Sequence, residues 1–555
     1  MRVKIPIVSL FCGCGGMDYG FKQKGFIPII AIDNSEIAIK TYTENNVPRV
    51  AVKSDISKLS GKKIVSMIDG LGNGIKPRGI VGGPPCQPFS ISNVYHNPED
   101  PRKFLPFKFA SIIKAVNKKY KLDFFVFENV VGLNSKKHAN VFESIKKDFI
   151  DAGFNLFIGE LNAQYFGVAQ SRKRLFVVGI NKDLYPNIEF KFPKGNKRYI
   201  HTVRDVIGSL PEPIFFSRSL SAGNIPFHQN HWTMNPKSQK FSNNLAAENP
   251  ANGRSFRRLD WDKPSDTLAF GHREINVHPN GHRRISIFEA MRIQGFPDSY
   301  KIMGNLTQQV YQVSDALPPN VASAIGESLR TAIYLPQMRI SKKLIKWYKE
   351  NHRDYPWRNT NDPYSILVAE KLLQQTSVNK SVIKVYNRIL SKYPNIRSLS
   401  CAESDDLIPI MATLGLNYRA YELVKLAKVM VERHGGEIPD NLDRLIELPG
   451  IGEYIARAIL CFAYGLDVPI VDTNIARFVY RIFGLQWPVP SNPARVKRLI
   501  IQVEKLMVNG KARIINLAIL DLCSSICSIK EPACSICPIS KECQYYRMSR
   551  RYKEV

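Results

Sequence analysis

Hydrophobic positions change their spacing near the middle of this chain. Through about residue 330, the apolar runs IPIVSLF, FIPIIAID, GIVGG, LDFFVFEN and RLFVVGI are separated by stretches such as NSEIAIKTYTEN and FKFASIIKAVNKKY, where apolar residues recur every three or four positions. Continuous apolar runs of strand length predict buried parallel strands, and their alternation with amphipathic helices predicts an open α/β sheet. Residues 185–280 interrupt the pattern: HQNHWTMNP and NPANGRSF, rich in Pro, Asn, Gly, Ser and His, predict an irregular insert or small recognition region. From about residue 340 the strand-length runs stop. ISKKLIKWYKENH, YSILVAEKLLQQTSVNKSVIKVYNRIL, RAYELVKLAKVMVERHG and ARAILCFAYG keep helical spacing, so the second half is predicted to be all-helical, with a joint at YLPQMRIS near Pro336. No internal repeat is visible.

At 555 residues the chain exceeds what one ordinary core accommodates, so two or three domains are expected. No run approaches the roughly 20 apolar residues of a membrane span. The N-terminal MRVKIPIVSLFCGCGG passes into glycines too early for a signal peptide. A cytoplasmic protein without a membrane partner is therefore expected. The 78 Lys and Arg against 48 Asp and Glu leave a formal charge of +30. A well-solvated basic surface would account for that excess; a polyanionic partner accounts for it more directly, because cations that neutralise phosphates release counterions. Cysteine changes the picture locally, since five of the ten lie between Cys523 and Cys543.

VSLFCGCGGMDYGF reads as a strand, a glycine-rich turn and a helix start, whose free N–H groups can approach a ligand closely. Asp33 ends the next apolar run about 20 residues later, where an acid can accept from ribose hydroxyls. The glycine spacing is not a strict dinucleotide fingerprint, and a structural turn would read the same way. GGPPCQPFS is sharper: the two glycines and two prolines just before Cys86 hold rigid a loop that presents it away from any apolar face, unlike the core position a lone cysteine usually takes. LDFFVF delivers Glu128 and Asn129 to the carboxyl edge of the sheet, where α/β sites form. AQYFGVAQSRKRLFVVG then places Gln170, Arg172 and Arg174 just before another strand.

In this order these blocks, with RRISIFEAMRIQGFPDSY and QVSDALPPNVASAIG, resemble the DNA cytosine-5 methyltransferase family over about residues 5–335. The resemblance implies an α/β S-adenosylmethionine-dependent methyltransferase fold over residues 1–335, with 185–280 as a small target-recognition region. It also implies a mechanism. Cytosine carbon 5 is too weak a nucleophile to take a methyl group until a thiolate, matched by Cys86, adds at carbon 6. Glu128 would meet ring nitrogen 3, while Arg172 and Arg174 would hold the base and nearby backbone. The cofactor would lie over Phe11, Gly13 and Gly15, with Asp33 on the ribose and Asp55 and Ile56 near the adenine. The target must leave the helix, so double-stranded DNA with base flipping is implied, as is nucleoid association in a prokaryotic cell. A restriction–modification system implies a cognate restriction endonuclease as functional partner. Two positions depart from the family: Ser9 replaces its usual aspartate, and Asp315 its usual asparagine.

In the second half, Cys527, Cys534, Cys537 and Cys543 are spaced C-x6-C-x2-C-x5-C, which suits zinc or an iron–sulfur cluster; disulfides are disfavoured inside a cell. LPGIGEYIARAIL is a glycine hairpin entering a helix, and Gly450 and Gly452 would leave N–H groups facing outward for a DNA phosphate. About 20 residues on, PIVDTNIARFVYRIFG puts Asp472 at a helix start, where an ordinary cap is the plainer reading. Together these features resemble the endonuclease III-like branch of the helix-hairpin-helix DNA glycosylases over about residues 342–546. The resemblance implies an all-α glycosylase domain over 342–555 behind a linker at 336–341, with a [4Fe-4S] cluster loop on the four cysteines. Asp472 would stabilise the positive sugar as the base departs. Bifunctional relatives place at Tyr454 a lysine that forms a Schiff base and cuts the strand; tyrosine cannot, so a monofunctional enzyme is implied. Tyrosine there resembles the thymine glycosylases of G/T mismatches. AEKLLQQTSV resembles the adenine glycosylases, whose glutamate, matched by Glu370, protonates the departing base; thymine-specific relatives also carry a glutamate there, and Gln375 would fill the vacated gap. GLNYRA lies where relatives insert a side chain into the duplex.

The two halves fit one chemistry. Deamination of 5-methylcytosine yields thymine opposite guanine, so a methyltransferase joined to a base excision repair enzyme would mend the damage it invites. The expected function is cytosine-5 methylation plus excision of thymine, and uracil with it, from G/T mismatches. The alternative is an adenine glycosylase acting on A/G or A/8-oxoguanine, whose members usually continue into a further domain for which no length follows Cys543. A DNA-binding regulator with a decayed catalytic half is the third possibility, and the intact Cys86, Glu128, Glu370 and Asp472 argue against it.

Overall fold

The computed structural model describes residues 4–46, 50–85, 89, 100–235, 257–268, 276–374, 376, 378–415, 417–485, 490–507 and 510–551. Cys86 and Gln375 lie outside the described residues. The chain divides into two units, Met1–Ala332 and Ile333–Val555.

Seven strands build the sheet of the first unit: β1 (Ile5–Leu10), β2 (Phe26–Asp33), β3 (Ala51–Lys53), β4 (Gly79–Gly82), β5 (Phe124–Asn129), β6 (Phe154–Asn162) and β7 (Lys173–Asn181). Their order is β3-β2-β1-β4-β5-β7-β6. The first five are parallel, as the continuous apolar runs predict. RLFVVGI, expected to be parallel as well, is not: β7 runs antiparallel to both β5 and β6. The reason is chain length, because the short connection from Asn162 to Lys173 cannot make the crossover that a parallel return requires. FNLFIGELN was not anticipated as a strand. It pairs on one side only, its residues range from buried to exposed, and it therefore shows no continuous apolar run.

Strand order reverses at β1, which has β2 on one side and β4 on the other. Such a reversal opens a crevice at the carboxyl ends of the strands. The segments after β1, β2, β4 and β5 open into that one place. The described part of the expected target-recognition region is irregular, with a short helix Val203–Ile207 and two-residue strand pairs. One ionic contact binds it to the rest of the unit: buried Arg283, paired with Glu289 at 2.9 Å, meets Glu212 of this region at 2.6 Å.

In the second unit every described element is helical, around a single core that includes Leu344, Trp357, Leu367, Leu426, Ile459 and Phe478. The expected linker at 336–341 instead lies within helix Leu335–Asn351, whose Ile340 and Ser341 are buried. Pro336 sits in its first turn, where the missing N–H breaks no hydrogen bond, so the proline marks a helix start, close to the division between the two units where the joint was expected. The long helical stretch from Tyr364 to Leu390 is broken into Pro363–Leu373 and Lys380–Lys392, the second capped by Asn379. None of the described helices is long and apolar enough to cross a membrane.

Candidate active sites

The crevice of the first unit holds a cavity of about 650 Å³. That is ample for a nucleoside-sized ligand. Phe11, Gly13, Asp33, Asp55 and Ile56 line one part of it; Glu128, Arg172 and Arg174 line another. Phe11 itself takes a left-handed φ of 56°. Gly15 does not reach the cavity but makes the turn, at φ 94°, and a Cβ there would lie 2.9 Å from the Tyr300 hydroxyl. Asp33 fixes the loop: one carboxylate oxygen accepts from the Gly13 N–H at 2.9 Å and the other from Ser35 N–H at 2.9 Å. Burial raises its pKa, and those backbone donors restrain the rise. Asp55 caps a short turn through the Ser57 N–H and hydroxyl, at 3.0 and 2.7 Å.

Glu128 closes β5 and meets Arg174 Nε at 3.1 Å. Burial raises its affinity for a proton, while Arg174 and then Arg172 pull the other way. Space is tight beside it, since a Cβ on Gly83 would come within 2.6 Å of Glu128 Oε2. Asn129 donates to the Pro84 carbonyl at 3.2 Å and so ties β5 to the start of the loop that carries Cys86. The motifs did not single out helix Leu306–Asp315 as a lining element, yet Gln308, Tyr311, Gln312 and Asp315 all reach the cavity. Asp18 was also missed. It is fully buried and pushed up to about 6 by burial, with the Tyr42 and Ser9 hydroxyls opposing the rise. Neither of its oxygens makes a strict hydrogen bond, so the hydroxyl influence is one of proximity.

Three helices assemble the candidate site of the second unit. Glu370, 6% exposed, comes from Pro363–Leu373; Tyr454 from Glu453–Phe462; Asp472 caps Thr473–Phe483. Burial pushes the Glu370 carboxyl up to about 7, and the Asp472 charge adds to the rise while Arg358 opposes it. Burial raises the Tyr454 phenol, and Glu370 and Asp472 raise it further. The tyrosine therefore shares its surroundings with both acids. Asp472 is a helix cap and a member of this cluster at once: Oδ1 accepts from Ile475 N–H at 2.7 Å and Oδ2 from Asn474 Nδ2 at 2.9 Å. Arg477 continues the chain of contacts, from Asn474 Oδ1 at 3.1 Å to the Cys527 carbonyl at 3.1 Å. Gly450 and Gly452 are exposed, and Gly452 precedes helix Glu453–Phe462 without a side-chain cap, so its first N–H groups lack such a partner. Near GLNYRA, Tyr418 and Tyr421 are 51% and 52% exposed.

Cys527, Cys534, Cys537 and Cys543 surround one small apolar cavity with Phe478, Arg481 and Leu522. Arg481 donates to Cys527 Sγ at 3.2 Å and to the Ser528 carbonyl at 2.7 Å. Cys523 belongs instead to helix Ala512–Ser525, with its thiol toward the Asn474 carbonyl. Among the described residues no three His, Cys, Asp or Glu side chains stand close enough to grip a single metal ion. Four thiols around one small cavity are a donor set that suits an iron–sulfur cluster.

Residues 5–331 match the C-5 cytosine-specific DNA methylase family, and residues 368–500 match the HhH-GPD superfamily of base excision DNA repair proteins. A DNA-modifying enzyme joined to a DNA-repair enzyme is the class that fold and comparison define together. The chain belongs to the C-5 cytosine-specific DNA methylase family and carries an HhH-GPD domain in its second unit. It is 30% identical over 353 residues to the type II methyltransferase M.FnuDI of Fusobacterium nucleatum, covering 59% of this chain and 95% of that one. The thymine-DNA glycosylase of Aeropyrum pernix is 35% identical over 221 residues, covering 39% of this chain and 98% of its own. The adenine DNA glycosylase of Buchnera aphidicola is 33% identical over 206 residues, but only 58% of that longer protein is matched.

Proposed function

We propose that this protein methylates cytosine at carbon 5 within a specific duplex sequence and that its second unit excises thymine from the G/T pairs left when 5-methylcytosine deaminates. The observation that carries the thymine half is Tyr454 beside Glu370 and Asp472. A phenol cannot form a Schiff base, so water adds to the sugar carbon that the base leaves, and the strand stays intact. The near full-length likeness to a thymine-DNA glycosylase supports the choice over adenine. Uracil follows thymine, because a pocket that accepts the methyl group rejects its absence only weakly.

In the first unit Cys86 adds to carbon 6 of the flipped base, and Glu128 supplies the proton that ring nitrogen 3 needs as charge builds there. Arg174, and Arg172 near it, hold Glu128 in place. S-adenosylmethionine, when bound, supplies an electrophilic methyl group, and Phe11, Gly13, Asp33, Asp55 and Ile56 would hold it. In the second unit Glu370 protonates the departing base, and Asp472 faces the positive sugar. The hairpin at Gly450 and Gly452 grips a phosphate, and Gln375 fills the gap. Cys527, Cys534, Cys537 and Cys543 would hold a [4Fe-4S] cluster, which would tie the C-terminal loop to itself beside Phe478 and Arg481 of helix Thr473–Phe483. A restriction endonuclease of the same specificity is the functional partner, and the protein works where the DNA is.

End-labelled duplexes bearing one G/T, G/U, A/G or A/8-oxoguanine pair test this directly. Scission at thymine that needs hot alkali is the expected result, in a preparation that contains iron and labile sulfide; scission at adenine alone would replace the reading. Glu370 sets the pH dependence. Its carboxyl is raised to about 7, so the protonated acid prevails below that pH and is lost above it. The kcat/KM for excision should therefore fall as pH rises through about 7, and a rate that keeps climbing to pH 9 would remove Glu370 from the role.

A further inference from the structure

Glu370 and Lys371 are neighbours on one helix and both are buried, at 6% and 2% exposed, yet they serve different places. Glu370 belongs to the cluster with Tyr454 and Asp472. The Lys371 ammonium donates to Gln374 Oε1 at 3.0 Å, Glu422 Oε2 at 3.1 Å and the Gly450 carbonyl at 3.3 Å, which uses its three hydrogens. A buried lysine is costly to the fold unless so paired, and an apolar side chain would fill the same space without that cost. Gly450 has φ 73°, and a Cβ there would lie 2.9 Å from the Lys371 nitrogen, so glycine is what lets the ammonium reach the hairpin.

A second buried cation works on the same turn. Arg419, 2% exposed near the start of helix Tyr418–His434, donates to the Leu372 carbonyl at 3.2 Å and to Thr376 Oγ1 at 3.0 Å, and also to the Gln374 carbonyl. The turn at Gln374 and Thr376 is therefore held by two cations. One of them also holds the hairpin, which is 79 residues away in sequence.

We propose that Lys371 is a positioning residue that locks the Gly450–Gly452 hairpin to the turn at Gln374, so that the phosphate grip meets DNA as a preformed surface in register with Glu370. This rests on the glycosylase reading above. Preforming the surface lowers the ordering cost of binding and keeps the acid in register with the extruded base. Lys371 itself stays under the hairpin and touches no phosphate.

The test uses the full chain, a G/T duplex, and Lys371→Met, which keeps the bulk of the stem and removes the ammonium. Binding should weaken and single-turnover excision should slow, each by about tenfold or more, as expected when charged hydrogen bonds are lost. The slope of log Kd against log salt should stay at the wild-type value, whereas loss of a lysine that touched phosphate would reduce it by about one. Lys371→Arg should restore part of both losses. Glu422→Gln removes only the half-exposed anion and should behave as wild type. Should Lys371→Met fail to fold, Gln374→Leu must show the two losses in its place, because it cuts the turn from an otherwise paired ammonium. A folded Lys371→Met enzyme that matches a working wild type, or a slope reduced by one, overturns the inference alone. Wild-type protein that excises from neither G/T nor G/U overturns the glycosylase reading, and the inference with it.

Discussion

Asp472→Asn should slow thymine excision by about 10² to 10³-fold, the range seen when one electrostatic stabiliser of a transition state is removed. The substitution separates two roles. Asparagine caps a helix about as well as aspartate does, so the bond to Ile475 N–H survives and the melting temperature should hold. What disappears is the negative charge proposed to face the sugar. The same charge raises the Glu370 carboxyl, so the alkaline fall in the excision rate should also move to lower pH in the variant. Single-turnover rates from pH 5 to 9, with a melting curve beside them, measure all three. A rate loss that tracks a fall in melting temperature would reduce Asp472 to a cap. Methylation by the same preparation should be unchanged, because the variant lies in the other unit.

Glu128→Gln is the counterpart in the first unit and should cut methyl transfer by about 10² to 10⁴-fold, the usual contribution of a positioned acid. Glutamine fills the same space beside Gly83 and still offers an oxygen to Arg174, but it cannot supply the proton. Asp33 and the glycine loop are untouched, so S-adenosylmethionine affinity should remain within about twofold, a change far below one pKa unit of differential interaction. Tritiated-methyl incorporation and equilibrium binding on the same sample measure the two quantities. Loss of cofactor binding together with activity would mean that Glu128 holds the cavity rather than the base. Excision from G/T should persist in this variant.

How much of this could be read from the chain depends on how far apart the cooperating residues lie. The four cysteines fall between Cys527 and Cys543, a segment short enough that spacing alone proposes a shared ligand. Cys86 was recognisable from its rigid setting, and Glu128 from the apolar run it ends. Glu370, Tyr454 and Asp472 each stood out within a local motif, but their sharing of one environment comes from the packing of three helices. Lys371 gave no signal. A lysine in a helix that is apolar on most sides reads as a charge that reaches solvent, and its partners Glu422 and Gly450 are 51 and 79 residues distant. Asp18 was invisible for the same reason, since nothing local says that the helix after the glycine loop is buried on that side.

By itself the sequence determined the fold class of each half and the chemistry its residues can perform. Burial period, turn residues and reactive side chains are local properties, written in consecutive letters. Tertiary structure alone decided that Glu370 holds its proton to about pH 7 and that one buried ammonium joins the hairpin to a distant turn. Each of these depends on distances between residues far apart in the chain. Proton affinity and ion pairing follow from how completely packing removes water.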